Sequence, residues 1–157
     1  MPSQLGKLQL NGGRLNQRLH PVRPSAARSA LMARVKQRGT AAELLVRRAM
    51  RDASVGFRTN AKHLPGRPDV YIPSKKVAIF VHGCFWHRHR NCAATTLPKT
   101  NVAFWRTKFR DNLKRDRKKA RALRELGYRV LVIWECQTRR TETLNRAVAK
   151  LKSSLRG

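Results

Sequence analysis

Two apolar runs constrain this chain more than any other feature: Val77-Ala78-Ile79-Phe80-Val81 and Val130-Leu131-Val132-Ile133-Trp134. Each is strand-length, rich in β-branched residues and free of polar alternation. Each therefore predicts a strand buried on both faces. Between them, Val102, Trp105, Phe109, Leu113, Ala120, Leu123 and Leu126 form an apolar stripe at helical spacing. That predicts a long helix over roughly 101–126, with Gly127 in the position favoured after a helix C-terminus. Strand, helix and strand in this order make a crossover, and two strands so joined within one sheet run parallel. Upstream, 69–72 reads as a strand joined to 77–81 through the turn Pro73-Ser74-Lys75-Lys76. The fold class is α/β, with a mixed sheet containing one hairpin.

The flanks are simpler. Thr40-Ala41-Ala42-Glu43 has capping-box spacing, and Leu45, Val46, Ala49 and Met50 follow as an apolar stripe, predicting a helix over 41–52. A short strand is expected at 57–59, a turn at Pro65-Gly66-Arg67-Pro68 and a basic helix over 141–155. Residues 82–100 read as a loop dense in His, Cys and Arg. The first 28 residues read as a flexible basic arm, which either folds on binding or serves solubility. Residues 29–157 form the folded domain.

Lysine and arginine total 36 against 8 acids, a net charge of +28. A polyanion partner is expected, with nucleic acid first and an anionic membrane second. No apolar run approaches the roughly 20 residues needed to span a bilayer, and the N-terminus lacks the apolar core of a secretory signal. The three cysteines, an odd number, argue against a disulfide scaffold and for a reducing cytoplasmic compartment.

Register and topology make two further demands. With the four-residue turn at face value, Ile72 opposes Val77 and Asp69 opposes Phe80. Asp69 and His82 are then diagonal neighbours, with Cβ atoms ~7–8 Å apart, at the C-terminal end of a buried strand, where open α/β sheets place their sites. Parallel strands also end on the same side, so Cys136, after the second strand, is carried towards Cys84 and Cys92.

Cys84, His89, Cys92 and Cys136 amount to three sulfurs and one nitrogen, a closed tetrahedral zinc set. His87 competes for the fourth place, and three ordinary reduced thiols are the alternative. A zinc here is expected to be structural, clamping the loop to the sheet. Among the few acids, Asp69 sits beside the turn glycine and Asp116 lies on the apolar stripe of the long helix, a costly place unless it is paired or ligated. A salt bridge to lysine or arginine is its bland alternative, and the capping box is that of Glu43. Phosphodiester hydrolysis needs a cation near phosphorus, a base for water and an acid for the leaving oxygen. Asp69, His82 and His87 can meet that need. Phe85 and Trp86 stand side by side in a polar loop and suit insertion against bases, whereas Trp105 suits the core. Met32 is a conceivable second wedge. The run of Arg and Lys along 106–121 suits phosphates, at least in part.

These residues resemble the very short patch repair (Vsr) DNA mismatch endonucleases. The matching pieces are Leu64-Pro65-Gly66-Arg67-Pro68-Asp69, Val77–Val81, His82-Gly83-Cys84-Phe85-Trp86-His87, Phe104-Trp105, Lys108, Asn112, Arg115-Asp116-Arg117, Leu126-Gly127-Tyr128-Arg129-Val130-Leu131 and Trp134-Glu135-Cys136. Together they cover about 29–140. The resemblance implies a restriction-endonuclease-like three-layer fold and nicking of one DNA strand 5′ to the thymine of a T·G mismatch, which arises when 5-methylcytosine deaminates. It implies magnesium on Asp69 and the carbonyl of Val81, His87 as general base, His82 at the scissile phosphate, and Glu43 and Asp116 as further active-site acids. Cys84, His89, Cys92 and Cys136 match the zinc ligands. Phe85, Trp86 and Trp105 match an aromatic wedge, Met32 matches a residue entering from the opposite groove, and Asn112 and Arg115 belong to the DNA-binding set. Also implied are a monomer on double-stranded DNA, other repair proteins as partners, and a cytoplasmic, nucleoid-associated setting. Val81 replaces a threonine, and the loop from Cys84 to Cys92 is one residue longer than the family form. A Vsr-like nuclease with another target in restriction or defence is the alternative. A zinc-stabilised DNA-binding module without catalysis is the third reading, and intact Asp69, His82 and His87 argue against it.

Overall fold

A capping box starts the first helix. In the computed structural model, which describes residues 39–156, the Thr40 hydroxyl accepts from the Glu43 amide at 3.3 Å and Glu43 reaches back to the Thr40 amide at 3.4 Å. Helix α1, Ala41–Asp52, follows and buries Glu43, Val46, Ala49 and Met50. Leu45, expected on that face, is 43% exposed, and the acid Glu43 holds the buried place instead. The basic arm at 1–28 and Met32 lie outside the described residues.

Strand β1, Val70–Ile72, and strand β2, Val77–His82, pair antiparallel with Ile72 opposite Val77, the register the turn length demanded. The turn is a single 3-10 turn, Pro73–Lys75, closed by Lys76 in the left-handed region. Helix α2, Val102–Glu125, crosses to strand β3, Arg129–Trp134, which runs parallel to β2 with His82 opposite Trp134. Helix α3, Glu135–Thr138, and helix α4, Thr141–Ser154, complete the chain. The expected strand at 57–59 is reduced to one isolated bridge, Arg58 to Tyr71.

Alternation along the strands sends side chains to two cores. One unites Val70, Ile72, Val77, Ile79 and Ile133 with α1 and α4. The other joins Tyr71, Ala78 and Phe80 to Ala61, Leu64 and Leu123 of α2. Helices thus lie on both faces of the mixed sheet, whose order is β1-β2-β3. Val46 and Met50 are wholly buried, and truncating Met50 to alanine should destabilise the fold by about 2–5 kcal/mol. Strand β2 is central and apolar on both sides, as its composition required. β3 was expected to match it, but it lies at the sheet edge, with Val132 39% exposed. Leu126, at the end of the α2 stripe, is half exposed as well. No helix among the described residues is long and apolar enough to cross a membrane.

Candidate active site and metal cluster

Asp116 enters from α2, along the stripe otherwise occupied by Trp105 and Phe109. A carboxylate on that face needs a partner, and Nδ1 of His87 lies 2.5 Å from its Oδ2. The partner is therefore a histidine and not the lysine or arginine of the bland reading. His87 comes from the loop after β2, which curls back as the His87 amide donates to the Gly83 carbonyl and the His89 amide to the Cys84 carbonyl, 3.1 Å each. Its ring stacks on His82 at 3.8 Å and 10°. His82 ends β2 and meets the Trp134 ring edge-on at 5.5 Å. Donor atoms of His82, His87 and Asp116 all lie within 4.8 Å of one another.

The charges of this cluster set its protonation. Burial, then His87, pushes His82 down to about 4, with Lys119 adding to this and Asp116 opposing it. His82 is therefore neutral at pH 7. For Asp116, burial acts to raise the pKa, but the hydrogen bond and charge of His87, with Lys119, outweigh it and hold the carboxyl below its ordinary value. An ionised carboxylate has only acceptors, so Nδ1 of His87 carries a proton, and in the neutral ring it is Nε2 that presents the lone pair.

Lys119, three residues beyond Asp116, was visible beforehand only as one of a basic run. Its stem lies across Gly66. A Cβ on Gly66 would sit 2.7 Å from Lys119 Cγ and 2.8 Å from Lys119 Cβ, and Gly66 has φ +71°. A glycine in a turn beside a candidate acid is a signal of such close approach.

Asp69 stands beside the histidine cluster, not within it. Its Oδ2 accepts from the Val81 amide at 2.8 Å, and its own amide donates to the Ile79 carbonyl at 3.1 Å. The hairpin register thus brings its carboxylate over the end of β2, one residue before His82. Arg47 links this acid to α1. Its guanidinium donates to Glu43 at 3.1 Å and to the Asp69 carbonyl at 3.5 Å. Glu43 therefore does more than cap its helix, a connection through Arg47 that spacing did not reveal. Asp69 and the Val81 carbonyl are hard oxygen donors on adjacent strands. That chemistry suits magnesium, which takes one or two protein oxygens and keeps waters.

Cys84, His89, Cys92 and Cys136 form the second cluster, again with every donor atom within 4.8 Å of the others. Nδ1 of His89 is 3.6 Å from Cys84 Sγ and 3.4 Å from Cys136 Sγ. Zn–S and Zn–N bonds at a tetrahedral angle separate sulfur and nitrogen by about 3.5 Å, so the set fits such an ion. Burial pushes the Cys84 thiol up to about 12, while the Ala94 amide lowers that of Cys92. A bound dication would bring every thiol to thiolate. His87 is drawn away to Asp116, which leaves His89 as the nitrogen donor. Cys136 reaches the cluster from α3, a helix that was not foreseen.

Phe85 and Trp86 were expected to lack any element able to bury them. The N-terminal half of α2 half-buries both. Phe85 lies edge-on to Trp86, Trp105 and Phe109, with centroids 5.1–5.5 Å apart. Asn112 donates to the Trp86 carbonyl at 3.2 Å and accepts from Arg115, so α2 holds the aromatic loop.

A family model described as DNA mismatch endonuclease Vsr matches residues 22–94. The type II nicking enzyme V.XorIIP of Xanthomonas oryzae pv. oryzae is 40% identical over 123 residues, 78% of this chain and 87% of that protein. The DNA mismatch endonuclease Vsr of Escherichia coli is also 40% identical over 123 residues, 78% of each chain. The type II nicking enzyme V.NmeAIP of Neisseria meningitidis is 34% identical over 135 residues, 83% of this chain and 96% of that protein. The family match and these relatives define the class, a DNA endonuclease. The chain belongs to the Vsr endonuclease family.

Proposed function

We propose that this chain is a magnesium-dependent endonuclease that nicks one strand of double-stranded DNA 5′ to the thymine of a T·G mismatch, the product of 5-methylcytosine deamination, and so starts very short patch repair. The observation that carries the hydrolytic reading is the His87–Asp116 pair stacked against His82 beside Asp69. Asp116 fixes the His87 tautomer. Nε2 of His87 takes a proton from the water that attacks phosphorus, and the imidazolium so formed is stabilised by Asp116. The new P–O bond forms as the bond to the leaving oxygen breaks, and that oxygen takes its proton from solvent water. Neutral His82 offers a hydrogen bond to the scissile phosphate. Asp69 and the Val81 carbonyl would hold magnesium, which would supply charge neutralisation at phosphorus. Glu43 acts through Arg47 to hold the Asp69 backbone. Cys84, His89, Cys92 and Cys136 would hold zinc in a structural role, since four protein donors would leave it no open position.

In this reading Phe85, Trp86 and Trp105 form the wedge at the mismatch, Asn112 and Arg115 brace it, and Met32 enters from the other groove. The fold is restriction-endonuclease-like, with 1–28 as a basic arm on the domain at 29–157. The protein works as a monomer in the bacterial cytoplasm at the nucleoid, alongside other repair proteins. A second reading, a Vsr-like nuclease acting on another target, is favoured by the relatives named as type II nicking enzymes. Nicking of T·G and fully paired duplexes with magnesium separates the two. Preference for T·G is expected, and equal cutting of both would overturn it. Binding without any cleavage would overturn hydrolysis itself. Asp69→Ala should abolish nicking while duplex binding persists, and an active variant would refute the metal site.

A further inference from the structure

Helix α2 carries a second face that the hydrolytic site does not use. Arg106, Arg110, Lys114 and Arg117 recur along one stripe, and with Arg88 from the preceding loop they line a groove of about 700 Å³. The Arg88 guanidinium lies 4.4 Å above the Phe109 ring, so the floor is aromatic and the rim cationic. Among the described residues, no acid lines the groove. At 3.6 residues per turn, this stripe is centred roughly 130° around the helix from the stripe of Trp105, Asn112 and Asp116. One run of phosphates cannot occupy both. Four like charges spaced over about 16 Å of helix repel one another. The exposed contact of Arg110 with Asp111, at 3.9 Å, offsets little of this.

We infer that this groove holds phosphates of the strand that is not nicked. A helix is about 10–12 Å across with its side chains, which matches the roughly 12 Å width of the major groove. When the catalytic stripe faces the scissile strand, a stripe turned this far around the axis faces the opposite backbone. A span of about 16 Å covers some five phosphates at 3.4 Å per step. The inference rests on the hydrolytic site proposed above and on its nicking of the thymine strand, which makes the guanine strand the uncut one. It gives the endonuclease a grip on the uncut strand while the other is hydrolysed.

The test is equilibrium binding of the full-length protein, without magnesium, to a T·G duplex. About five neutral methylphosphonates replace phosphates in either the guanine or the thymine strand around the mismatch. The combined variant Arg106→Gln, Arg110→Gln, Lys114→Gln removes three exposed charges of the groove. The equal-charge control is Arg51→Gln, Arg146→Gln, Lys150→Gln on α1 and α4, also exposed. The groove variant should flatten the slope of log Kd against log salt by about 2–3, and the control by less than about 1. Methylphosphonates in the guanine strand should weaken wild type at least about tenfold and the groove variant less than about threefold. Identical behaviour of groove and control variants would overturn the inference, as would coupling to the thymine strand. Loss of nicking would bear on the hydrolytic reading alone, because binding reads the groove independently.

Discussion

Replacing Asp116 by asparagine keeps the side-chain shape and removes its charge. In the wild type, Nδ1 of His87 donates to Oδ2 of Asp116 at 2.5 Å, and the carboxyl is held ionised. An asparagine can turn its amide nitrogen to Nδ1. The ring proton then moves to Nε2, and the lone pair that should accept the proton of water is lost. Losing a general base slows a reaction about 10²–10⁴-fold. Asparagine can instead turn its carbonyl to Nδ1 and keep the tautomer. What is lost is then a hydrogen bond to a charged group, about 1.5–3 kcal/mol, or about 10- to 150-fold in rate. Asp116→Asn should therefore nick at least about tenfold more slowly, and up to about 10⁴-fold if the tautomer flips. The assay is single-turnover nicking of a T·G duplex at saturating protein with magnesium, which removes binding from the rate. Raising the pH should recover part of the loss, as hydroxide replaces the missing base. A variant within about threefold of wild type at pH 7 would refute His87–Asp116 as the water-activating pair.

Three further outcomes follow from the same structure. Cys136→Ser should lower zinc content from about one per chain and reduce the melting temperature with it, by metal analysis and calorimetry; full zinc retention would remove Cys136 from the cluster. His82 has a folded pKa of about 4 against an unfolded value near 6.5, so its stabilising contribution is complete above 6.5 and is lost as pH falls towards 4. Between pH 7 and 5 that loss is about 2 kcal/mol, and urea denaturation of His82→Gln should show correspondingly less acid sensitivity than wild type. Gly66→Ala meets both a φ of +71° and the Lys119 stem, and should cost about 1–3 kcal/mol. Adding Lys119→Gly, which removes the Cβ as well as the rest of the stem, should recover part of it, and strictly additive costs would show that Lys119 is not the obstacle.

The sequence disclosed what depends on local period and chain topology. The capping box placed α1, the turn length set the β1–β2 register, and the crossover made β3 parallel and sent Cys136 towards Cys84. Burial at the margins was less legible. A continuous apolar run reads the same in a central strand and at an edge, so β3 was expected to be buried and Val132 is exposed. Leu45, expected in the buried stripe, is exposed because the facing elements, not the stripe alone, decide which side of α1 is covered. The candidate residues were visible as types, but their partners were not. The His82–His87 stack and the His87–Asp116 bond depend on a loop that passes through left-handed Arg88 and Asn91, and local pattern does not foretell that path. Lys119 was hidden among the many cations of α2 until the rotation of the helix placed it over Gly66.

The loop that carries His87 is seated by residues made much later in the chain. His89 stacks on Trp134 at 4.2 Å and meets Cys136, and His82 leans on the same indole. During synthesis, His82, His87 and even Asp116 emerge before Trp134 and Cys136 exist to seat the loop's far side. A nascent chain lacking β3 and α3 therefore has the hydrolytic side chains without their arrangement. On the hydrolytic reading proposed above, the arrangement that cuts DNA is complete only once the strand that finishes the sheet has docked.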